Sequence, residues 1–162
     1  MTHSNYFDTQ EQNDMALLEE FNNQVSWFVG EISATTNGTS HDAEAIDKKG
    51  RKTLIEHKQR KGNTDLYINK YKTVLVEPLK VSHLSKTASI SGFSRNEQRL
   101  YINYTDDGVI IFDMNKKHHL EYYPNHHHYD PGSRKFVDED RFGIPVEEGI
   151  IYKKIDGKYR KF

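Results

Sequence analysis

The sequence has no cysteine and no apolar run of the roughly 18 residues that a membrane-spanning helix needs. Without cysteine the chain can form neither disulfides nor thiolate zinc sites, which is typical of a protein in the reducing cytoplasm. The N-terminal segment MTHSNYFDTQEQND lacks the basic stretch and apolar core of a secretory signal. We therefore expect a cytoplasmic protein with no membrane partner.

The chain also lacks internal repeats, low-complexity linkers and a glycine-rich phosphate-binding loop. Its 162 residues, of which 35% are hydrophobic and 29% charged, suit one domain with a modest core. We predict a single domain over residues 1–162, with a core over roughly 13–115 and an extension over 116–162.

The most informative pattern lies in HDAEAIDKKGRKTLIEHKQRK, where thirteen residues separate Asp42 from Glu56 and Lys58 stands two positions later. Residues two apart in a strand share a face, so a strand through LIEHK would project Glu56 and Lys58 side by side. The segment DAEAID precedes a turn-forming DKKG, so a hairpin would return Asp42 to Glu56. Two carboxylates that meet in this way can hold Mg²⁺.

This pattern resembles the signature of the PD-(D/E)XK nuclease superfamily, an aspartate at a strand start followed, after a hairpin, by Glu-X-Lys or Asp-X-Lys. Asp42 matches the first acidic position, Glu56 the second and Lys58 the lysine, while His41 stands where the signature often has proline. The resemblance implies a metal-dependent phosphodiesterase that acts on nucleic acid, with DNA as the favoured substrate. Small stand-alone members occur in phages, mobile elements and recombination systems.

The resemblance also implies a role for each residue of the motif. Asp42, Glu56 and the backbone carbonyl of His57 would coordinate Mg²⁺, with Mn²⁺ as a substitute, because hard cations prefer oxygen ligands. Lys58 would orient or activate the attacking water, or neutralise the charge that develops on the phosphate.

Further acids are candidate ligands. Glu44 lies two residues beyond Asp42 on the same strand face, so it is the candidate for a second metal. Many relatives place an acid of the first helix at the site, and Glu19 or Glu20 would be that acid here.

Lysine and arginine are absent from residues 1–47, which carry nine acids, and then become abundant. Residues 48–72 hold nine bases against two acids, a net charge of +7 concentrated around the motif. Such a segment suits a phosphodiester substrate, although a solvated hairpin tip with an exposed strand edge would have the same composition. The candidate nucleic-acid-binding residues are Lys48, Lys49, Arg51, Lys52, Arg60 and Lys61.

The predicted elements follow the order that the superfamily has. They are a helix at 13–24, strands at 27–33, 42–47 and 51–60, an extended segment YKTVLV, a helix opened by Pro78 and running over 79–87, and two strands flanking the turn Asp106-Asp107-Gly108. The predicted fold class is therefore α/β. Its core would be restriction-endonuclease-like (α-β-β-β-α-β), a mixed central sheet flanked by helices, with an irregular C-terminal extension.

Histidines and prolines dominate that extension. The histidines could bind Zn²⁺, Ni²⁺ or Mn²⁺, but three in succession cannot all face one ion, and no metal-site spacing is present. A loop that stacks on nucleic-acid bases and an ordinary surface loop are the alternatives. Pro124, Pro131 and Pro145 predict an irregular wrap before a hairpin that turns at Asp156-Gly157. The histidines are His118, His119, His126, His127 and His128.

Two alternatives to a nuclease stay open. The chain could keep the fold and bind nucleic acid without catalysis, for example as an anti-defence protein, but the intact Asp42, Glu56 and Lys58 argue against this. It could also be a structural or interaction protein unrelated to nucleases. The form of the substrate is undetermined, and a homodimer, in which many relatives cut two strands, is as open as a monomer.

Overall fold

The computed structural model describes residues 3–35, 41–85 and 97–162. Its helices and strands are α1 (His3–Val25), β1 (Phe28–Ala34), β2 (Ala43–Asp47), β3 (Lys52–Gln59), β4 (Thr73–Val76), α2 (Pro78–Ser85), β5 (Glu97–Thr105), β6 (Gly108–Asp113), β7 (Glu121–Asp130), β8 (Lys135–Pro145), β9 (Ile150–Ile155) and β10 (Lys158–Lys161). A π-helical turn, Leu66–Tyr71, precedes β4, and a 3-10 turn, Val146–Glu148, follows β8. The fold is α/β and rich in strands.

The described strands form two sheets. The larger has seven strands in the order β1-β2-β3-β5-β6-β9-β10, and the smaller has three in the order β4-β8-β7. β3 and β5 are parallel, and the other neighbours in the larger sheet are antiparallel, so this sheet is mixed. A parallel pair needs a crossover connection, which the chain between β3 and β5 supplies through the π-helical turn, β4 and α2.

The larger sheet is covered on both faces, as the apolar centre of β3 predicts. Residues 53–57 of β3 are all buried. Leu18 and Phe21 of α1 pack on one face, while Val74 of β4 and Ile144 of β8 belong to the core on the other. The end of β3 therefore emerges between α1 and the layer that contains β4, β8 and α2.

Most predicted elements are confirmed. The first helix, the three strands after it, the extended segment before Pro78 and both predicted hairpin turns are present. Pro78 begins α2, where its missing N–H costs no helical hydrogen bond. The structure describes α2 to Ser85, so its predicted end at residue 87 lies outside the described residues.

α1 is longer than predicted, because no glycine or proline interrupts the chain between His3 and residue 13. No helix in the described ranges, α1 included, is long and apolar enough to cross a membrane. The sheet is also less flanked by helices than predicted, since its second face is covered largely by strands β4 and β8.

The prediction of an irregular C-terminal extension is wrong. The chain forms the long β7–β8 hairpin, and β9 and β10 then continue the larger sheet. Pro124 lies where the β7–β8 register shifts, and β7 is an edge strand, where proline is tolerated. Pro131 lies in the hairpin turn and Pro145 ends β8. The prolines mark interruptions of these strands without preventing them.

Candidate active site

The Asp42 carboxylate lies against the peptide that joins Glu56 to His57. The Asp42 N–H donates to the Ile55 carbonyl at 2.8 Å, and Asp42 Oδ2 accepts from the His57 N–H at 3.1 Å. The N–H and C=O of one residue in an extended strand point to the same neighbour, so the His57 carbonyl is also directed to the β2 side. The β2–β3 hairpin thus brings the two acids of the motif to one end of the sheet.

Glu56 is buried and is paired with a lysine of α2. Its side chain is 3% exposed, and its Oε1 accepts from Lys80 Nζ. Burial lowers the pKa of Lys80, while the charges of Asp42 and Asp14 oppose that change. One ammonium therefore interacts with three carboxylates. Sequence reasoning missed Lys80, because a contact 24 residues away through a crossover leaves no local spacing signal.

Lys58 lies at the rim of the same face. Its Nζ is 3.9 Å from Glu77 Oε1, and the two side chains are 40% and 39% exposed. Burial lowers the pKa of Lys58, the Arg60 charge acts in the same direction, and Glu77 opposes them. Lys58 is thus loosely held and partly exposed to solvent.

The acid that α1 contributes is Asp14. Its Oδ1 accepts from Gln59 Nε2 at 2.9 Å, and the residue is buried. Its pKa is raised to about 6, chiefly by burial and also by the charge of Asp42, although the Gln59 hydrogen bond lowers it. Asp14, Leu18 and Phe21 lie on one helical stripe, and a carboxylate on an apolar stripe is the signal that could have found it.

Two of the other acids proposed as ligands have partners of their own. Glu20 pairs with Lys154 of β9, whereas Glu19 is exposed. Glu44 lies 2.8 Å from His41 Nε2, a hydrogen bond that lowers the pKa of Glu44. Asp14 instead lies close enough to Asp42 for the charge of Asp42 to raise its pKa.

His57 lies beneath the site on the α1 side. Its Nδ1 is 3.0 Å from the Tyr104 hydroxyl, and its buried Nε2 has no hydrogen-bond partner. Burial lowers the pKa of His57 to about 4, against the opposing charge of Asp42. The imidazole is therefore neutral near pH 7 and does not compensate the neighbouring carboxylates.

Asp14, Asp42 and Glu56 together carry more negative charge than the ammonium of Lys80 compensates. When Asp14, Asp42 and Glu56 are all ionised, the ammonium of Lys80 compensates one of their three charges. Burial, with a smaller contribution from the Asp42 charge, raises the pKa of Asp14. Carboxylate oxygens are the ligands that a hard divalent cation such as Mg²⁺ prefers. Among the described residues, no three histidine, aspartate or glutamate side chains form a complete metal site as they stand, and Lys80 holds an oxygen of Glu56.

The basic segment is not gathered around these acids. Residues 48–51 form the hairpin turn, at the opposite end of the β2–β3 ladder from the candidate site. Two bases there are paired, Arg51 with Asp47 at 2.7 Å and Lys52 with Glu44 at 3.5 Å. The two lysines that open the turn are exposed. The expectation that positive charge surrounds the motif is therefore wrong for this part of the segment.

Arg60 does not form part of a basic surface either. Its Nε donates to Asn103 Oδ1 at 2.9 Å, and its Nη2 donates to the Leu75 carbonyl and the Tyr101 hydroxyl. It joins β5 to β4 inside the protein. Lys61, the next residue, is exposed.

The histidines separate into two groups. His118 and His119 follow β6 and lie beside Glu148. The group 126–128 belongs to β7, whose side chains alternate between the faces of the β7–β8 hairpin. The rings of His126 and His128 stack on one another at 5.6 Å between centroids, and the ring of His127 lies on the other face of the hairpin.

Near the end of β3, Asp42 lies against the β3 backbone, Glu56 pairs with Lys80, and Lys58 is partly exposed at the rim. The acids found here, Asp14, Asp42 and Glu56, come from α1, the start of β2 and β3, so their placement depends on the fold as much as on the motif. The chain matches no protein-family model and no curated protein sequence.

Proposed function

We propose that the protein is a Mg²⁺-dependent nuclease of the PD-(D/E)XK type that hydrolyses phosphodiester bonds, with DNA as the favoured substrate. The observation that carries the proposal is the bond from the His57 N–H to Asp42 Oδ2, because it holds the Asp42 carboxylate against the peptide that joins Glu56 to His57. Asp42, Glu56 and the His57 carbonyl would hold Mg²⁺, and Asp14 would be a further acidic ligand. The order α1, β1, β2, β3, α2, β5 supports the resemblance, with β4 as an addition before α2.

The chain's own groups would divide the remaining tasks. Bound Mg²⁺ would supply charge stabilisation at the phosphate and a lower pKa for an attacking water. Lys58 would hold that water or neutralise the phosphate oxygens, and its lowered pKa lets it exchange a proton more readily than an ordinary lysine. Lys80 would compensate the charge of the buried Glu56.

The positions of the basic residues bear on the length of substrate that the protein would bind. Lys52 and Glu56 are four residues apart on β3, which corresponds to about 13 Å at roughly 3.3 Å per residue. A duplex would therefore need about four base pairs beyond the scissile phosphate to contact the hairpin turn, at roughly 3.4 Å per pair. Duplexes shorter than this should bind more weakly and with a shallower salt dependence.

The ion pair between Glu56 and Lys80 favours a second candidate, a protein that binds nucleic acid without cleaving it. Lys80 already neutralises the one fully buried acid of the motif. In that case the site would bind nucleic acid equally well with and without a divalent metal.

A substrate panel tests the proposal. Labelled linear, circular, branched and single-stranded DNA, and RNA, are incubated with the protein in Mg²⁺, Mn²⁺ or EDTA. We expect cleavage of at least one substrate in Mg²⁺ or Mn²⁺, none in EDTA, and none by Glu56→Gln, which preserves shape and removes the charge. Glu139→Gln, at an exposed position of β8, is the matched control and should cleave normally. Metal-independent binding with no cleavage of any substrate would favour the second candidate.

A further inference from the structure

Potential metal ligands also meet where the chain after β6 passes the 3-10 turn that follows β8. Glu148 Oε1 lies 3.3 Å from His118 Nδ1 and 3.4 Å from His119 Nδ1. In a tetrahedral site with metal–ligand bonds of about 2.0–2.1 Å, neighbouring ligand atoms are about 3.3–3.4 Å apart. The two contacts to Glu148 thus have the spacing of ligands around one ion.

His118 is the residue that points to a bound cation. Its ring is 5% exposed, and its Nε2 lies 2.8 Å from the Asp113 carbonyl. A carbonyl can only accept, so Nε2 carries the proton and Nδ1 of the neutral ring presents a lone pair. That Nδ1 is buried, has no hydrogen-bond partner and faces the Glu148 carboxylate. Two acceptors at this distance need a positive charge between them.

A second proton on His118 would be the simplest such charge, but the geometry suits it poorly. The contact from Nδ1 to Oε1 is within ion-pair distance and yet is not aligned as a hydrogen bond. A tetrahedral ion instead requires the oxygen to lie off the lone-pair axis of the ring. A histidine whose other N–H binds a backbone carbonyl is also the usual arrangement of a metal ligand.

Glu148 is held ready for such a role. The His119 N–H donates to both of its carboxylate oxygens, at 3.1 and 3.2 Å. These two bonds hold the carboxylate beside the His118 and His119 rings.

We propose that His118, His119 and Glu148 bind a transition-metal ion, best matched by Zn²⁺, with water as the fourth ligand. The His119 ring is 95% exposed, so it can rotate to complete a site that His118 and Glu148 define as they stand. Imidazole nitrogen selects Zn²⁺, Ni²⁺ or Cu²⁺ over Mg²⁺, so this site differs in kind from the acids at the end of β3. The ion fastens the segment between β6 and β7 to the turn after β8.

Metal titration of the full-length protein tests this inference. Protein stripped with a chelator and freed of it is titrated with Co²⁺, whose visible absorption reports four-coordination, and then with Zn²⁺. We expect one equivalent of Co²⁺ to bind with intense visible bands, Zn²⁺ to displace it, and Zn²⁺ to raise Tm. His119→Ala and Glu148→Gln should each weaken Zn²⁺ binding by at least about 100-fold, the upper end of the loss for partners that only support a ligand.

The control combines His126→Ala, His127→Ala and His128→Ala, which leaves the proposed ligands intact and should keep the affinity within about threefold. Because His119 is exposed, His119→Ala reports on a folded protein even if Glu148→Gln is unstable. Sub-stoichiometric binding, or binding lost in the triple variant and kept in His119→Ala, would overturn the proposal. None of these measurements depends on cleavage, so they are independent of the proposed nuclease function.

Discussion

The candidate active site and the β7–β8 hairpin both concentrate titratable side chains, but they build their contacts differently. The candidate site joins pairs of residues that are 15, 24 and 45 positions apart in the sequence, and Glu56 and Asp14 are buried in it. The hairpin pairs residues across neighbouring strands, such as His127 with Asp138, which are 65% and 61% exposed. Exposed pairs contribute about 0–1 kcal/mol, whereas burial changes the pKa and reactivity of a group. Burial therefore indicates chemistry better than a high local density of titratable residues.

Removal of Lys58 should have a large effect on cleavage by the candidate site. Lys58→Ala should lower Mg²⁺-dependent cleavage by at least about 100-fold, as loss of a group that stabilises developing charge does. Lys61→Ala removes an exposed lysine three residues later and should stay within tenfold. Initial rates under single-turnover conditions measure both, and equal losses would mean that the two lysines contribute only general positive charge.

Lys80 tests whether the site depends on a buried charge pair. Lys80→Met should destabilise the metal-free protein by about 2 kcal/mol, because it leaves the Glu56 carboxylate buried without its partner. Adding Glu56→Gln to this variant should restore most of the loss. Urea unfolding in EDTA measures the difference, and a variant as stable as wild type would show that the pair carries no net stability.

Asp14 predicts a pH dependence of stability. Its pKa of about 6 in the folded protein lies above the ordinary aspartate value of 3.8, so the folded state binds the proton more tightly. The associated stability is full below about pH 4 and is lost as pH rises through 6. Asp14→Asn should therefore exceed wild type by up to about 2 kcal/mol at pH 7 in EDTA and match it near pH 4. A constant difference from pH 4 to 8, measured by urea unfolding, would refute this origin.

The smallest effect is expected in the hairpin. Replacing the histidines at 126–128 together with alanine should leave Mg²⁺-dependent cleavage within roughly tenfold and change stability by less than about 1 kcal/mol. A larger loss of cleavage with intact folding, checked by circular dichroism, would place the chemistry on β7.

The sequence predicts those features of the fold and the site that depend on the spacing of residues within one helix or hairpin. The Glu-X-Lys motif, the return of Asp42 by a hairpin and the stripe of Leu18 and Phe21 all follow from the periods of strands and helices. Lys80 could not be predicted in the same way, because its contact depends on how the crossover packs on β3.

The β7–β8 hairpin was missed for a different reason. Its prolines fall at a register shift on an edge strand and at the ends of strands, positions that only the pairing of the strands reveals. Proline content alone therefore predicted irregular structure where an extended hairpin exists.

The most direct test of the central claim compares Asp42→Asn with wild type in Mg²⁺ and in EDTA. Asp42→Asn keeps the side-chain shape and an oxygen for the His57 N–H but removes the charge that would bind the metal. We predict that wild type cleaves DNA in Mg²⁺, that Asp42→Asn loses at least about 1000-fold in rate, and that Asp140→Asn on β8 cleaves normally. Cleavage by Asp42→Asn at the wild-type rate would contradict the account.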